Sequence, residues 1–254
     1  MRLFSSLFII LSLSVAVSCS SGRSGKACFA VDGGNITVSQ SGRSGGVPDI
    51  RRLVEREKPV VDSVRRPVLG YAAIDLVTYA PESPMMNFAA DALLEGARKY
   101  SSYPVDAAVT NKGGLRSPIK KGNITFGDVY DVFTFDNTLA IVTFDGATLL
   151  QLCHDIAAVG GEAVSGLTLV ITADNRLVDA KVNGESISPE SKYRIATSNY
   201  LSEGKDKLYS FVKGECEVYD AVTIRDLMVE YICGLTARGE VLSPECDGRI
   251  TIMK

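Results

Sequence analysis

Val105-Asp106-Ala107-Ala108-Val109-Thr110-Asn111-Lys112-Gly113-Gly114-Leu115-Arg116 joins a strand-like run to a polar, glycine-bearing loop. Val105 to Thr110 is short, apolar and bounded by a turn signal, so it reads as a strand that delivers the chain into Asn111. Glycines at 113 and 114 permit a turn with positive φ and let backbone N–H groups approach an anion that a Cβ would hold off. Arg116 would add the forked donor that oxyanions favour. Alone, the same residues also describe a tight turn with a solvated arginine, and only the flanking sequence separates the two.

Upstream, Ser83 suits an N-cap and Pro84 the first helical position. Met86, Ala89, Ala90, Leu93, Leu94 and Ala97 then recur on one face, which predicts a helix through about Lys99 with the Met85-Met86 pair as core filler. Further back, Ile50, Leu53 and Val54 fall at helical spacing until Pro59, Val60, Val61 and Val64 continue the apolar series toward Pro67, and Val68 to Val77 reads as a strand. Downstream, Thr125-Phe126-Gly127-Asp128 fits a capping box, Thr138 to Phe144 a buried strand, and Ala147 to Ala158 a helix with Leu149, Leu152, Cys153 and Ile156 on one side, ended by Gly160-Gly161. Strands are predicted at Leu167 to Ile171, Leu177 to Val182 and Tyr193 to Thr197, with Asn183-Gly184 as a turn. After a polar loop, a last helix runs from Thr223 through Ile232, and Arg249 to Met253 closes a sheet edge. Strands and helices do not strictly alternate, so the class is α+β.

With 254 residues, 46% hydrophobic and a net charge of −3, the chain can hold one substantial core or two small ones, and without a basic stripe it excludes a nucleic-acid polymer as partner. Met1-Arg2 followed by the apolar, serine-dotted Leu3 to Val17 has the form of a signal peptide over residues 1–18, too short and too broken to span a membrane. Ala16-Val17-Ser18-Cys19 resembles a bacterial lipobox. It predicts a lipidated Cys19, a flexible spacer to Lys26, and a lipoprotein on the periplasmic face of a bacterial envelope, held to the membrane only by its acyl chains. Ordinary signal cleavage nearby is the alternative. The folded domain is then 27–254, with a core over 48–254 and a small hairpin around Asp32-Gly33-Gly34-Asn35. Cys28, Cys153, Cys216, Cys233 and Cys246 carry no CxxC or zinc-finger spacing.

The side chains favour binding over self-contained catalysis. A single histidine, His154, stands within a helical pattern beside Cys153, and HxH, HExxH and GxSxG patterns are absent, so no metal site, serine triad or Cys-His dyad is legible. Phe135-Asp136-Asn137 begins nineteen residues after Arg116, and Ser198-Asn199-Tyr200-Leu201-Ser202-Glu203-Gly204-Lys205-Asp206 sets a second aromatic and an acid beyond a predicted strand. Two aromatic faces can sandwich a flat base, each stack contributing about 1–3 kcal/mol. An aspartate can accept from both hydroxyls of a ribose. The competing reading makes Phe135 and Tyr200 core aromatics and Asp206 a loop charge.

Taken in order, Glu82-Ser83-Pro84-Met85-Met86-Asn87-Phe88-Ala89-Ala90-Asp91-Ala92, Asn111 to Arg116, Gly122-Asn123-Ile124-Thr125, Phe135-Asp136-Asn137 and Asn199-Tyr200 to Asp206 resemble the C-terminal domain of the 5′-nucleotidase family. The resemblance covers roughly Pro48 to the C-terminus and implies a four-layer α/β/β/α domain that binds the nucleotide substrate. Phe135 matches its first base-stacking aromatic and Tyr200 the second, commonly phenylalanine. Asn111 and Asn137 match amides around base and loop, with Gly113 and Gly114 between, while Arg116 matches a phosphate-side arginine and Asp206 the acid that holds the ribose hydroxyls. In such enzymes a separate N-terminal metallophosphoesterase domain carries two metals and an Asp-His pair, and no stretch here reads as that domain. The expectation is therefore the nucleotide-binding half of a split exported 5′-nucleotidase, with no cofactor of its own and divalent metals on a separate metallophosphoesterase chain. The alternative is a non-catalytic nucleoside- or nucleotide-binding lipoprotein. Departures from the family cluster on the phosphate side: Pro81 stands where an arginine is common, Lys112 replaces a loop glycine, Thr134 a proline, and Lys205 and Lys207 replace glycines around Asp206. Lys112 or Lys205 would have to compensate as point charges.

Overall fold

The computed structural model describes residues 48–253. The expected signal peptide, lipidated Cys19, spacer and Asp32–Asn35 hairpin lie outside the described residues.

Helix α1 (Pro48–Arg65) runs through Pro59 as one helix and leaves Ile50, Leu53, Val54, Val60, Val61 and Val64 exposed. Strand β1 (Val68–Ala72) is shorter than the Val68 to Val77 run suggested. Its antiparallel partner, an unforeseen strand over Gly122–Thr125, ends opposite Ala72. Beyond that point only Leu76 makes an isolated bridge, to Ile119. Helix α2 (Pro84–Tyr100) starts as expected, with the Ser83 hydroxyl accepting from the Met86 N–H at 3.4 Å and Pro84 in the first turn. Both methionines are buried.

Strand β2 (Ala107–Thr110) is followed by a 3-10 turn over Lys112–Gly114, then β3 (Gly122–Thr125) and helix α3 (Phe126–Val132), which opens on the expected Thr125/Asp128 capping box. Arg65 ties α1 to α3, donating to Asp131 at 2.6 Å and to the Gly127 carbonyl at 3.3 Å. Strand β4 (Thr138–Asp145) leads directly into helix α4 (Gly146–Ala158), capped by Asp145. A short β5 (Ala163–Ser165) precedes β6 (Leu167–Ile171), β7 (Leu177–Val182) and β8 (Glu185–Ser186). Strand β9 (Lys192–Ser198) runs into the short helix α5 (Asn199–Ser202). The expected polar loop contains β10 (Glu215–Thr223). As an edge strand exposed along most of its length, it shows no apolar alternation. Helix α6 (Ile224–Ala237) extends past Ile232, and β11 (Ile250–Ile252) lies parallel to β6.

The α+β expectation holds: helices α2 and α6, a five-stranded sheet in the order β10-β4-β9-β2-β5, helix α4 and a four-stranded sheet in the order β11-β6-β7-β8. One core joins α2 and α6 to the near face of the larger sheet through Phe88, Leu93, Ile141, Leu227 and Met228. These two helices approach so closely that a Cβ on Gly96 would stand 2.7 Å from Leu227 Cδ2. The second core fills the space between the far face of that sheet, α4 and the smaller sheet with Val142, Phe144, Leu152, Ile156, Leu169 and Ile195.

Strand directions in the larger sheet determine where the loops meet. Strands β2 and β9 are parallel neighbours, and β4 lies antiparallel to β9 with Leu139 opposite Ser198. The chain therefore leaves β2 at Asn111, leaves β9 at Asn199 and enters β4 from Asn137 at one edge of the sheet.

Candidate functional site

The loop after β2 is held from beneath. The backbone N–H of Lys112 donates to Glu162 Oε2 at 2.5 Å, that of Gly114 to the Asn111 carbonyl, that of Leu115 to the Lys112 carbonyl and that of Arg116 to the Val132 carbonyl. Four of the amides that the sequence offered to an anion are thus already committed. Nor do Gly113 and Gly114 adopt positive φ; the left-handed glycines lie elsewhere. Glycine is required here for a different reason: a Cβ on Gly114 would sit 2.9 Å from Asn111 Oδ1. Gly114 leaves room for a side chain that folds back over its own loop, whereas a Cβ on Gly113 would meet its neighbours only at 3.8 Å.

Lys112 turns away from a compensating role toward phosphate. Its Nζ donates to the carbonyls of Val159 (3.0 Å) and Gly161 (2.7 Å), at the end of α4, and lies 3.2 Å from Glu162 Oε1. Burial raises the Glu162 carboxyl above its ordinary range, and Lys112 opposes that rise. Lys205 lies 3.5 Å from Glu203. Arg116 donates Nη1 to the Gly113 carbonyl at 3.2 Å.

Asn111 is nearly buried, and its Nδ2 donates to Asp206 Oδ2 at 2.5 Å. The other carboxylate oxygen, Oδ1, accepts from the Tyr200 hydroxyl at 2.9 Å. This bond raises the Tyr200 phenol above its usual range. Asp206 and Lys207 both adopt left-handed backbone, at φ 53° and 67°. The second is one of the positions where the family resemblance led us to expect glycine, and a lysine there accepts a strain of about 1–2 kcal/mol.

Phe135 is 52% exposed and Tyr200 38%, so neither is a core aromatic. Arg225 on α6 holds the loop of the first: its Nε donates to the Phe133 carbonyl at 2.9 Å, and its Nη2 to the Phe135 carbonyl and to Asp136 Oδ1. The Arg225 guanidinium also lies 4.3 Å from the ring centroid of Tyr130. Asn199 links the two aromatic segments, its Oδ1 accepting from the N–H of Thr138 and of Tyr200. The N–H of Ile224 caps the Asn137 carbonyl.

All eight residues singled out in the sequence, Asn111, Gly113, Gly114, Arg116, Phe135, Asn137, Tyr200 and Asp206, line one cleft of about 320 Å³. Its supports were not foreseen. Glu162 and Arg225 act from 50 and 89 residues along the chain from Lys112 and Asp136, and nothing in their local sequence marks them. Glu82 and Asn87, prominent in the resemblance, brace the C-terminal segment: Glu82 accepts from the N–H of Asp247 and Gly248, and Asn87 donates to Glu82 and to the Glu245 carbonyl. His154 is exposed on α4. Among the described residues no three His, Cys, Asp or Glu side chains converge as a metal site.

Comparison with known proteins places the domain in a family. The family model for the 5′-nucleotidase C-terminal domain matches residues 68–214, more than half of the sequence. The trifunctional nucleotide phosphoesterase YfkN of Bacillus subtilis is 28% identical over 80% of this chain and 15% of its own length. A probable 5′-nucleotidase of Treponema pallidum is 27% identical over 47% of this chain and 23% of its own. Among solved structures, a 5′-nucleotidase precursor from Thermus thermophilus superposes with a TM-score of 0.70 at 25% identity, covering 81% of this chain and 43% of that one. The NAD nucleotidase of Haemophilus influenzae shares the fold, with a TM-score of 0.64 at 19% identity. The chain thus spans less than half the length of these relatives. The chain belongs to the 5′-nucleotidase family through the C-terminal domain that the family model matches.

Proposed function

We propose that this chain is the nucleotide-binding half of an exported 5′-nucleotidase and positions a nucleotide for phosphate ester hydrolysis by a separate metallophosphoesterase chain. The observation that carries the reading is the meeting of two open aromatic rings with a doubly held carboxylate in one cleft. Phe135 and Tyr200 would take the two faces of the base, Asn137 its edge and Asp206 the ribose, while Arg116 lies toward the phosphate. The contribution to rate is orientation: fixing the ester against a reactive centre removes much of the entropy cost of encounter. The partner would supply the divalent metals and the activated water. Cys19, lipidated, would tether the assembly to the periplasmic face of the envelope.

The experiment has two steps. Calorimetric titration of the full chain with adenosine and AMP should show binding that Phe135→Ala weakens. Adding the metallophosphoesterase chain should then give AMP hydrolysis that depends on both proteins. Binding without any gain in hydrolysis would reject the split enzyme, and no binding would reject the ligand.

One observation favours a second reading, capture of nucleosides or nucleotides without a dedicated hydrolase. Among the residues lining the cleft Arg116 is the one cation, it already donates to Gly113, and Lys112 points away. Equal affinities for adenosine and AMP would support this reading over the first.

A further inference from the structure

Asp206 is gripped on both oxygens by side chains that themselves line the cleft. Asn111 Nδ2 reaches Oδ2 at 2.5 Å and the Tyr200 hydroxyl reaches Oδ1 at 2.9 Å. Asp206 and Lys207 are consecutive left-handed residues in a turn closed by the Leu208 N–H on the Lys205 carbonyl, which fixes the backbone but not the torsions of the Asp206 side chain. The direction of the carboxylate therefore depends on Asn111 and Tyr200.

An ionised carboxylate accepts at about four lone-pair positions, two on each oxygen. One position on each is filled, by Asn111 and by Tyr200, which leaves one on each oxygen. Two acceptors on adjacent oxygens of one group match the two donors of a vicinal diol. A phenylalanine at position 200 would offer the same ring to a base but would leave Oδ1 without its donor and the carboxylate held by Asn111 alone.

We propose that the Tyr200 hydroxyl is a positioning group that, together with Asn111, orients Asp206 toward a vicinal diol and makes the cleft selective for ribonucleosides over deoxyribonucleosides. The inference rests on the nucleoside-binding reading given above. Tyr200 thereby has two separable functions, a ring for the base and a hydroxyl for the acid that reads the sugar. The other possible effect of the same bond, a latch that competes with the sugar, predicts the opposite response to its removal.

Titration of the full chain with adenosine and 2′,3′-dideoxyadenosine, for wild type, Phe135→Ala, Tyr200→Phe and Asp206→Asn, tests it. Tyr200→Phe should bind adenosine about tenfold more weakly, the worth of a hydrogen bond to a charged group, and dideoxyadenosine within twofold of wild type. Asp206→Asn should lose the preference for adenosine, and adding Tyr200→Phe to it should change nothing further, because the hydroxyl acts only through the carboxylate. Adenosine binding that is unchanged or tighter in Tyr200→Phe, or an equal loss for both ligands, overturns the proposal. If wild type binds adenosine and Phe135→Ala weakens it while Tyr200→Phe does not, the binding reading stands and this inference alone fails. If wild type binds neither ligand, both fail.

Discussion

Glu162 and Lys112 form a strut beneath the cleft: the carboxylate accepts from the Lys112 backbone N–H at 2.5 Å and lies 3.2 Å from its ammonium. The carboxylate side chain is 5% exposed and the lysine 27%. Lys112→Met removes the charge and the two bonds to the Val159 and Gly161 carbonyls while leaving Glu162 buried, and breaking such a pair costs about 3 kcal/mol. The pH dependence follows from the raised Glu162 carboxyl. A carboxyl whose folded pKa lies above its unfolded value binds more protons in the native state, so stability falls as pH rises between the two values. Removing the ammonium widens that gap. The deficit of Lys112→Met should therefore be largest at neutral pH and shrink as the pH falls into the carboxylate range. Urea unfolding at neutral and mildly acid pH measures it, and an equal deficit at both would mean that Glu162 is not the charged partner.

Gly114→Ala separates the geometry of the cleft from the stability of the fold. The added Cβ meets Asn111 Oδ1 at 2.9 Å and Asn111 Cγ at 3.5 Å, the far end of a side chain rather than backbone. Asn111 can yield by rotating, so unfolding free energy should change by less than about 1 kcal/mol. Rotation breaks the bond to Asp206, however, and adenosine affinity should fall about tenfold. Thermal melting and titration on the same sample distinguish this from general destabilisation, which would move both.

Arg225 offers a second route to the base side. With a side chain 12% exposed, it bonds the Phe133 carbonyl at 2.9 Å and Asp136 at 3.0 Å and lies over Tyr130. Arg225→Met keeps the aliphatic stem but drops the bonds, leaving the Phe133 carbonyl without that donor. Stability should fall by about 1–2 kcal/mol. Because the loop then no longer fixes Phe135, adenosine and dideoxyadenosine should weaken together, unlike the response to Tyr200→Phe. A loss confined to adenosine would place Arg225 on the sugar side.

What the sequence revealed follows the range of each interaction. Ser83-Pro84 and Thr125–Asp128 specify helix starts within four residues, and both caps are present. Within Thr138 to Phe144, Leu139 to Val142 and Phe144 are buried, and the run announces itself by composition. By contrast, β10 is an edge strand and β3 only four residues long, so neither builds a readable alternation. The cleft residues were legible because aromatic, amide, acid and glycine occur in ordered motifs. Their supports were not, because Glu162 and Arg225 act from distant parts of the chain and in part on backbone groups, which carry no sequence signature. At Gly114 the close approach is to Asn111, whose position is set by its bond to a residue 95 positions away, and the sequence of the loop alone does not show it.

Cys153 should be chemically silent in the native state. It is fully buried on α4 against the second core, and burial pushes its thiol up to about 12, so at pH 8 only about one molecule in 10,000 carries the thiolate. Cys216, Cys233 and Cys246 are exposed and free. Brief alkylation with iodoacetamide at pH 8 followed by peptide mapping should label those three and leave Cys153 unmodified until denaturant is added. Both the low thiolate fraction and the burial of this face of α4 in the second core suppress the reaction, and they separate on raising the pH. Thiolate rises tenfold per unit, whereas the packing barrier stays until the helix opens. Labelling of native Cys153 that climbs tenfold per pH unit would mean that α4 opens readily. A rate that stays near zero up to pH 10 would show that α4 separates from the sheets only when the domain unfolds.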